Sequence, residues 1–146
     1  MRWSKLEQQV EAMFADGVRG RVEVRTTRYA KAHDRFGRSW ITVDGREVAN
    51  MSNYLACGDE IADGNPARFD AGVFAGYDLP NAMREYLGLS IDDAIASPNP
   101  LVRALAVLDR RAGERRLARI DAAKEAPIVA GFLAVRKGVR GDPAVA

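Results

Sequence analysis

Residues 38–51 read Arg-Ser-Trp-Ile-Thr-Val-Asp-Gly-Arg-Glu-Val-Ala-Asn-Met, and no other stretch restricts the fold as tightly. Asp44-Gly45 supplies the two positive φ angles of a two-residue hairpin turn, and the flanks alternate apolar with polar side chains. Regular pairing around that turn sets Val43 opposite Arg46, Thr42 opposite Glu47, Ile41 opposite Val48 and Trp40 opposite Ala49. Ile41, Val43 and Val48 then share one face, while Trp40, Ala49 and Met51 share the other. Both faces carry apolar side chains, so both are expected to need a cover.

The flanking segments suggest what the covers are. Ser4-Lys5-Leu6-Glu7 has the form of a capping box, and Leu6, Val10, Met13 and Phe14 follow at helical spacing, so residues 5–15 should be a helix ended by Asp16-Gly17. Residues 21–28 alternate, with Val22, Val24 and Thr26 on one side and Arg21, Glu23 and Arg25 on the other, as in a strand with one wet face. A polar turn over residues 30–37 leads into the hairpin. These elements predict a three-stranded antiparallel meander with the first helix on the Ile41/Val43 face.

Between residues 53 and 77, Gly58, Gly64, Asn65 and Pro66 break any long element, and residues 69–74 read as a fourth strand or an extended segment. Loops of this length are commonly functional or disordered. The second half is helical. Asp78 caps a helix carrying Met83, Tyr86 and Leu87, Ser90 starts a short one, and Asn99-Pro100 starts a third with Leu101, Ala104, Leu105, Leu108 and Ala112 as its stripe. Gly113 interrupts, residues 114–125 continue as a basic helix, and Pro127 opens a last segment with Ile128, Phe132, Val135 and Val139 on one face. The expected class is α+β: an N-terminal helix, a meander of three or four strands, then helices packed on the sheet. Residues 1–140 are expected to form one domain and residues 141–146 a frayed tail.

Charge is unevenly spread, although the net value is only +2. Residues 1–50 hold ten basic and seven acidic groups, residues 51–99 two and eight, and residues 100–146 ten and five, which gives +3, −6 and +5. Such blocks attract one another within a fold or across a dimer. No stretch reaches the roughly 20 apolar residues of a membrane span, and the first residues lack the apolar run of a signal peptide. The lone Cys57 excludes an internal disulfide framework and fits a cytoplasmic protein.

Several residue groups are candidates for chemistry. Arg110, Arg111, Arg115, Arg116 and Arg119 on a continuous helix would present an arc able to contact phosphates, without any recognised reading-helix motif. Solvation, or pairing with the acidic middle of the chain, is the simpler account. His33-Asp34 places an imidazole beside a carboxylate, but neighbours in a turn seldom orient each other as an acid–base dyad requires. Cys57 lacks partners for a metal site, and Asp59, Glu60 and Asp63 lack calcium-loop spacing. No catalytic residue, cofactor-binding residue or metal ligand is assigned. The candidate interaction surface is Trp40, Ala49 and Met51, since an uncovered apolar patch marks a contact site.

Arg-Trp-Ser-Lys-Leu at residues 2–6, Arg28-Tyr29, Trp-Ile-Thr-Val-Asp-Gly at residues 40–45, Leu-Ser-Ile-Asp-Asp-Ala at residues 89–94 and Leu-Asp-Arg-Arg at residues 108–111 together resemble a group of small bacterial proteins without an established activity. The resemblance covers most of the chain apart from residues 53–76, which look shorter and richer in glycine. It implies no functional residues. Small orphan proteins of this sort can travel on mobile gene cassettes.

Three expectations follow. The first is a cytoplasmic, non-enzymatic domain acting through protein–protein contact, with an unidentified partner or as a homodimer. The second is nucleic-acid binding through the arginines of residues 110–119. The third is a ligand site or enzyme with residues 53–77 as a lid.

Overall fold

The structure is a computed structural model that describes residues 2–26, 38–52, 69 and 72–138. Its elements are α1 (Trp3–Glu11), β1 (Val22–Thr26), β2 (Arg38–Val43), β3 (Arg46–Ser52), α2 (Asp78–Leu87), α3 (Ile91–Ile95), α4 (Pro100–Leu108), α5 (Glu114–Ala118), a 3₁₀ turn (Ala122–Lys124) and α6 (Pro127–Arg136). The α+β class therefore stands: a helix, a three-stranded antiparallel sheet in the order β1-β2-β3, then helices. Expectations placed on His33, Asp34, Cys57, Asp59, Glu60, Asp63 and Val139 fall outside the described residues.

The hairpin turn is as read. Asp44 and Gly45 have φ of 52° and 81°, the pair of left-handed conformations that matches the twist of the strands. Val43 pairs with Arg46 and Thr42 with Glu47. Beyond them the register changes, because Ile41 pairs with Ala49 and Trp40 with Asn50. Val48 is thus an extra residue, a β-bulge opposite the Ile41/Thr42 step.

The bulge overturns the predicted division of faces. Val48 and Met51 are both buried, and Ala49 packs against the core. Trp40 stays on the opposite, half-buried side with Thr42, Glu47 and Asn50. The predicted surface trio therefore does not share a face. Without the bulge, Ala49 and Met51 would project outward with Trp40, and burying the Met51 side chain alone is worth about 2 kcal/mol. One inserted residue thus makes a ribbon with apolar side chains on both faces largely one-sided.

Helix α1 begins one residue before the expected cap, with Arg2 as N-cap and no side-chain cap bond, so Ser4 lies inside the helix. It ends at Glu11 instead of continuing to residue 15. The reason is long-range. Ala15 donates its N–H to the carbonyl of Leu108 at 2.8 Å, and Arg110 donates to the carbonyl of Met13 at 2.9 Å, so residues 13–15 form a bridge with residues 108–110. Helix α1 buries Leu6 and Val10, and it packs against β1 and α2 rather than centring on the Ile41/Val43 face. A Glu11 carboxylate oxygen accepts the N–H of Val24 at 3.2 Å, which satisfies a donor on the outer edge of β1.

The C-terminal helices start where their caps predict. The side chain of Ser90 accepts from the Asp93 amide and that of Asn99 from the Leu101 amide, while Pro100 and Pro127 open α4 and α6. Asp78 instead lies in the first turn of α2, where its carboxylate accepts the Ala75 N–H at 2.6 Å. Helix α4 is apolar nearly all round and packs against α2, α3 and α6, as a central helix must. Inward side chains of the sheet, α1, α2, α4 and α6 join one continuous core. At the end of the sheet, buried Ser39 donates to the Gly76 carbonyl at 2.6 Å, tying residues 72–77 to β2.

Candidate functional site

Two places concentrate chemistry. The first is the turn that follows α4. The predicted arginine helix does not exist there: α4 stops at Leu108, the bridge to residues 13–15 takes over, and α5 covers only Glu114–Ala118. An apolar helix ends at Asp109, whose side chain is wholly buried.

Asp109 is held from several sides. The Tyr86 hydroxyl, buried within α2, donates to Oδ2. The Arg111 guanidinium donates to the same carboxylate, with NH2 at 2.7 Å from Oδ2, and the Arg111 amide donates to Oδ1 at 2.7 Å. Burial by itself would push the Asp109 carboxyl up. The Arg111 guanidinium, the Tyr86 hydroxyl and the Arg111 amide outweigh it and hold the carboxyl below its ordinary value. The same burial, and the negative charge of Asp109, push the Tyr86 hydroxyl up, so it remains a donor.

Other arginines close on the backbone of this turn. Arg136, at the end of α6, donates to the carbonyls of Asp109 and Val107 at 2.8 and 3.1 Å. Arg116 donates bidentately to Asp92 on α3, at 2.8 and 3.2 Å, and reaches the Arg111 carbonyl at 3.4 Å. This pair joins the basic end of the chain to its acidic middle and draws the Asp92 carboxyl down. Arg110 and Arg19 both donate to the Ala12 carbonyl, at 3.0 and 3.2 Å.

The five predicted arginines thus divide. Arg111 and Arg116 serve internal ion pairs, and Arg110 holds a carbonyl while remaining exposed. Arg115 and Arg119 are exposed and close no ion pair with a described residue. Sequence reasoning missed Asp109, Tyr86, Arg19 and Arg136 in this arrangement. One signal was available for Asp109: a single acid at the end of an eight-residue run interrupted only by Arg103 has to find a buried partner.

The second place is the outer face of the sheet. The Arg38 guanidinium carbon lies 4.3 Å from the centre of the Trp40 ring, stacked over its face. Arg38 also donates to Asn50 Oδ1 at 2.8 Å and to the Glu47 carboxylate. Beside it Arg25, which pairs with Trp40 across β1 and β2, is held by Glu23 and by Glu7 of α1. The face is therefore a layer of charge pairs around one indole, with Glu7 and Glu23 on Arg25 and Glu47 on Arg38.

Among the described residues, no group of three or more His, Cys, Asp or Glu side chains is placed to hold a metal ion, and no helix is long and apolar enough to cross a membrane. No similar curated protein and no similar solved structure was found. Two overlapping stretches, residues 2–68 and 60–137, match one family model and between them take in nearly the whole chain. Both the sheet face and the arginine turn lie within the matched residues, and the chain belongs to the SF0329 protein family.

Proposed function

We propose that the protein is a cytoplasmic, non-enzymatic binding domain that acts through protein–protein contact, and that its contact surface is the outer sheet face centred on Trp40. The observation that carries this reading is the stack of Arg38 on Trp40, held in place by Glu47 and Asn50. Tryptophan and arginine are the side chains that most often dominate protein interfaces. Holding both in one geometry before contact lowers the ordering cost of binding. Ala49 and Met51, drawn into the core, play no part in this surface.

The partner is a second copy of the chain. Three acids, Glu7, Glu23 and Glu47, pair with two bases, Arg25 and Arg38, around Trp40, so the face carries little net charge and meets its own copy with little repulsion, as an isologous contact requires. The lack of any positive excess in these pairs also sets the face apart from a surface built for a polyanion.

Sedimentation equilibrium from micromolar to high concentration tests the reading. Wild-type protein is expected to dimerise. Trp40→Ala should weaken the dimer about 30-fold, the effect of losing a central anchor worth roughly 2 kcal/mol, while its far-ultraviolet circular dichroism stays unchanged. A wild-type protein that remains monomeric throughout that range removes the proposal.

A further inference from the structure

We propose that Arg19 and Arg110 form a binding site for a phosphate oxyanion at the turn where residues 12–15 meet residues 108–111. The site is separate from the Trp40 face and does not depend on it.

The argument starts from convergence. Both side chains donate to one acceptor, the Ala12 carbonyl, at 3.2 and 3.0 Å. The two donor nitrogens are therefore no further apart than the sum of those lengths, although the groups carry like charge. Each spends one N–H on the carbonyl and keeps the rest of its guanidinium fork, which is the geometry that grips phosphate oxygens in pairs.

The surroundings do not cancel the charge. Five guanidinium groups gather on this turn: Arg19, Arg110, Arg111, Arg116 and Arg136. Asp109 takes Arg111, and Asp92 takes Arg116. Asp16 approaches Arg19 only at 4.0 Å and is almost fully in water, so it binds weakly. Arg110 pairs with no carboxylate among the described residues. The turn thus keeps a local positive excess, presented by two arginines that are exposed and already positioned.

The Ala12 carbonyl explains how the pair is held. It closes α1, where the helix dipole leaves partial negative charge, and it lies beside the bridge that fixes residues 12–15 against residues 108–110. The two arginines belong to segments 91 positions apart in sequence, yet the bridge places them on one oxygen. An anion arriving from solvent would meet both without rearrangement of the backbone.

The phosphate could belong to a free phosphate compound or to a nucleic-acid backbone, and the experiment separates the two. The ¹H–¹⁵N resonances of the arginine side chains are followed in the full-length protein while inorganic phosphate replaces chloride at constant ionic strength. Saturable shifts are expected at Arg19 and Arg110. Arg110→Gln should weaken the binding about tenfold, the effect of losing one charge-assisted contact, whereas Arg115→Gln should leave it unchanged. Arg110 keeps its backbone bond to Met13 in the variant, and a thermal melt verifies that the fold persists.

A second titration uses a short single-stranded oligonucleotide. Tighter binding than phosphate, with a salt slope reduced by about one in Arg110→Gln, assigns the phosphate to nucleic acid. Binding no tighter than that of phosphate assigns it to a free compound. The proposal is overturned if neither titration saturates, if Arg115 shifts as much as Arg110, or if Arg110→Gln binds phosphate as wild type does.

Discussion

At the scale of the residue, Asp109 is the group on which most depends. Its carboxylate is buried, and among the described residues its hydrogen bonds come from Tyr86 and Arg111. Asp109→Asn keeps a carbonyl oxygen for Tyr86 but leaves Arg111 without its counter-charge. Breaking a buried pair from one side costs several kcal/mol; Arg111 keeps some contact with water, so a loss of about 3 kcal/mol is expected. The pH dependence follows from the depressed carboxyl. Its stabilisation is fully present above the ordinary value of 3.8 and is lost as pH falls through the lower folded-state value. Urea denaturation should therefore show wild type and Asp109→Asn far apart at pH 7 and converging below about pH 4. A difference that does not change with pH would place the effect of Asp109 in packing and not in charge. The sequence hinted at this residue only by an acid at the end of an apolar helix; nothing local tells that its partner is a tyrosine 23 positions earlier.

The elements show where local signals suffice and where they fail. The turn at Asp44-Gly45 and the caps at Ser90 and Asn99 were legible because each depends on residues within a few positions. The bulge at Val48 was not, since residues 46–52 contain no glycine to mark it and the choice rests on which side chains the core can absorb. Helix α1 and the arginine segment were both extended too far for one shared reason. Each pattern continues in sequence, but residues 13–15 and 108–110 bond to each other instead of continuing their helices. The predicted phosphate-contacting arc lost its helix by that bond, and the pair Arg19 and Arg110 became visible only through it.

Helix α1 also carries a prediction. Glu11 is half-buried against the edge of β1, and that burial, aided by Glu7 and Glu23, raises its carboxyl above 4.5 despite the bond from Val24. A raised acid favours the folded state below its ordinary value and loses that contribution as pH climbs through the folded-state value. Glu11→Gln retains an oxygen for the Val24 N–H without the charge. It should match or exceed wild type at pH 7 and lack the wild-type decline that starts just above pH 4.5. Glu11→Ala leaves the Val24 donor unsatisfied and should cost about 1 kcal/mol. Urea titrations at pH 4 and pH 7 separate the variants; a Glu11→Gln protein as weak as Glu11→Ala at both would sink this account.

For the whole molecule, the bridge between residues 13–15 and 108–110 joins the helix-and-sheet unit to the helical half, and the core is continuous across both. Within the helical half, Arg136 of α6 holds the carbonyls of Val107 and Asp109 and so steadies the segment that makes this bridge. Neither the helix-and-sheet unit nor the helical half is expected to stand alone. Calorimetry should give a single transition whose calorimetric and van't Hoff enthalpies agree, and a fragment ending at residue 76 should remain unfolded. Two resolved transitions would show that the halves are separable. The α+β order of the elements was legible from patterning along the chain; this joining of the N-terminal unit to the helical half was not, because no local pattern records which distant segments will pair.

The extra residue in β3 acts as a parity switch for anyone who labels this protein. Counting alternately from the turn would choose position 49 or 51 for a fluorophore or cross-linker, and either choice would drive the probe into the interior. Counting across Val48 instead selects Glu47 and Asn50, whose side chains already face water on the tryptophan side. Reporters attached there would spare the interior, and by displacing a partner of Arg38 they would read the tryptophan side itself.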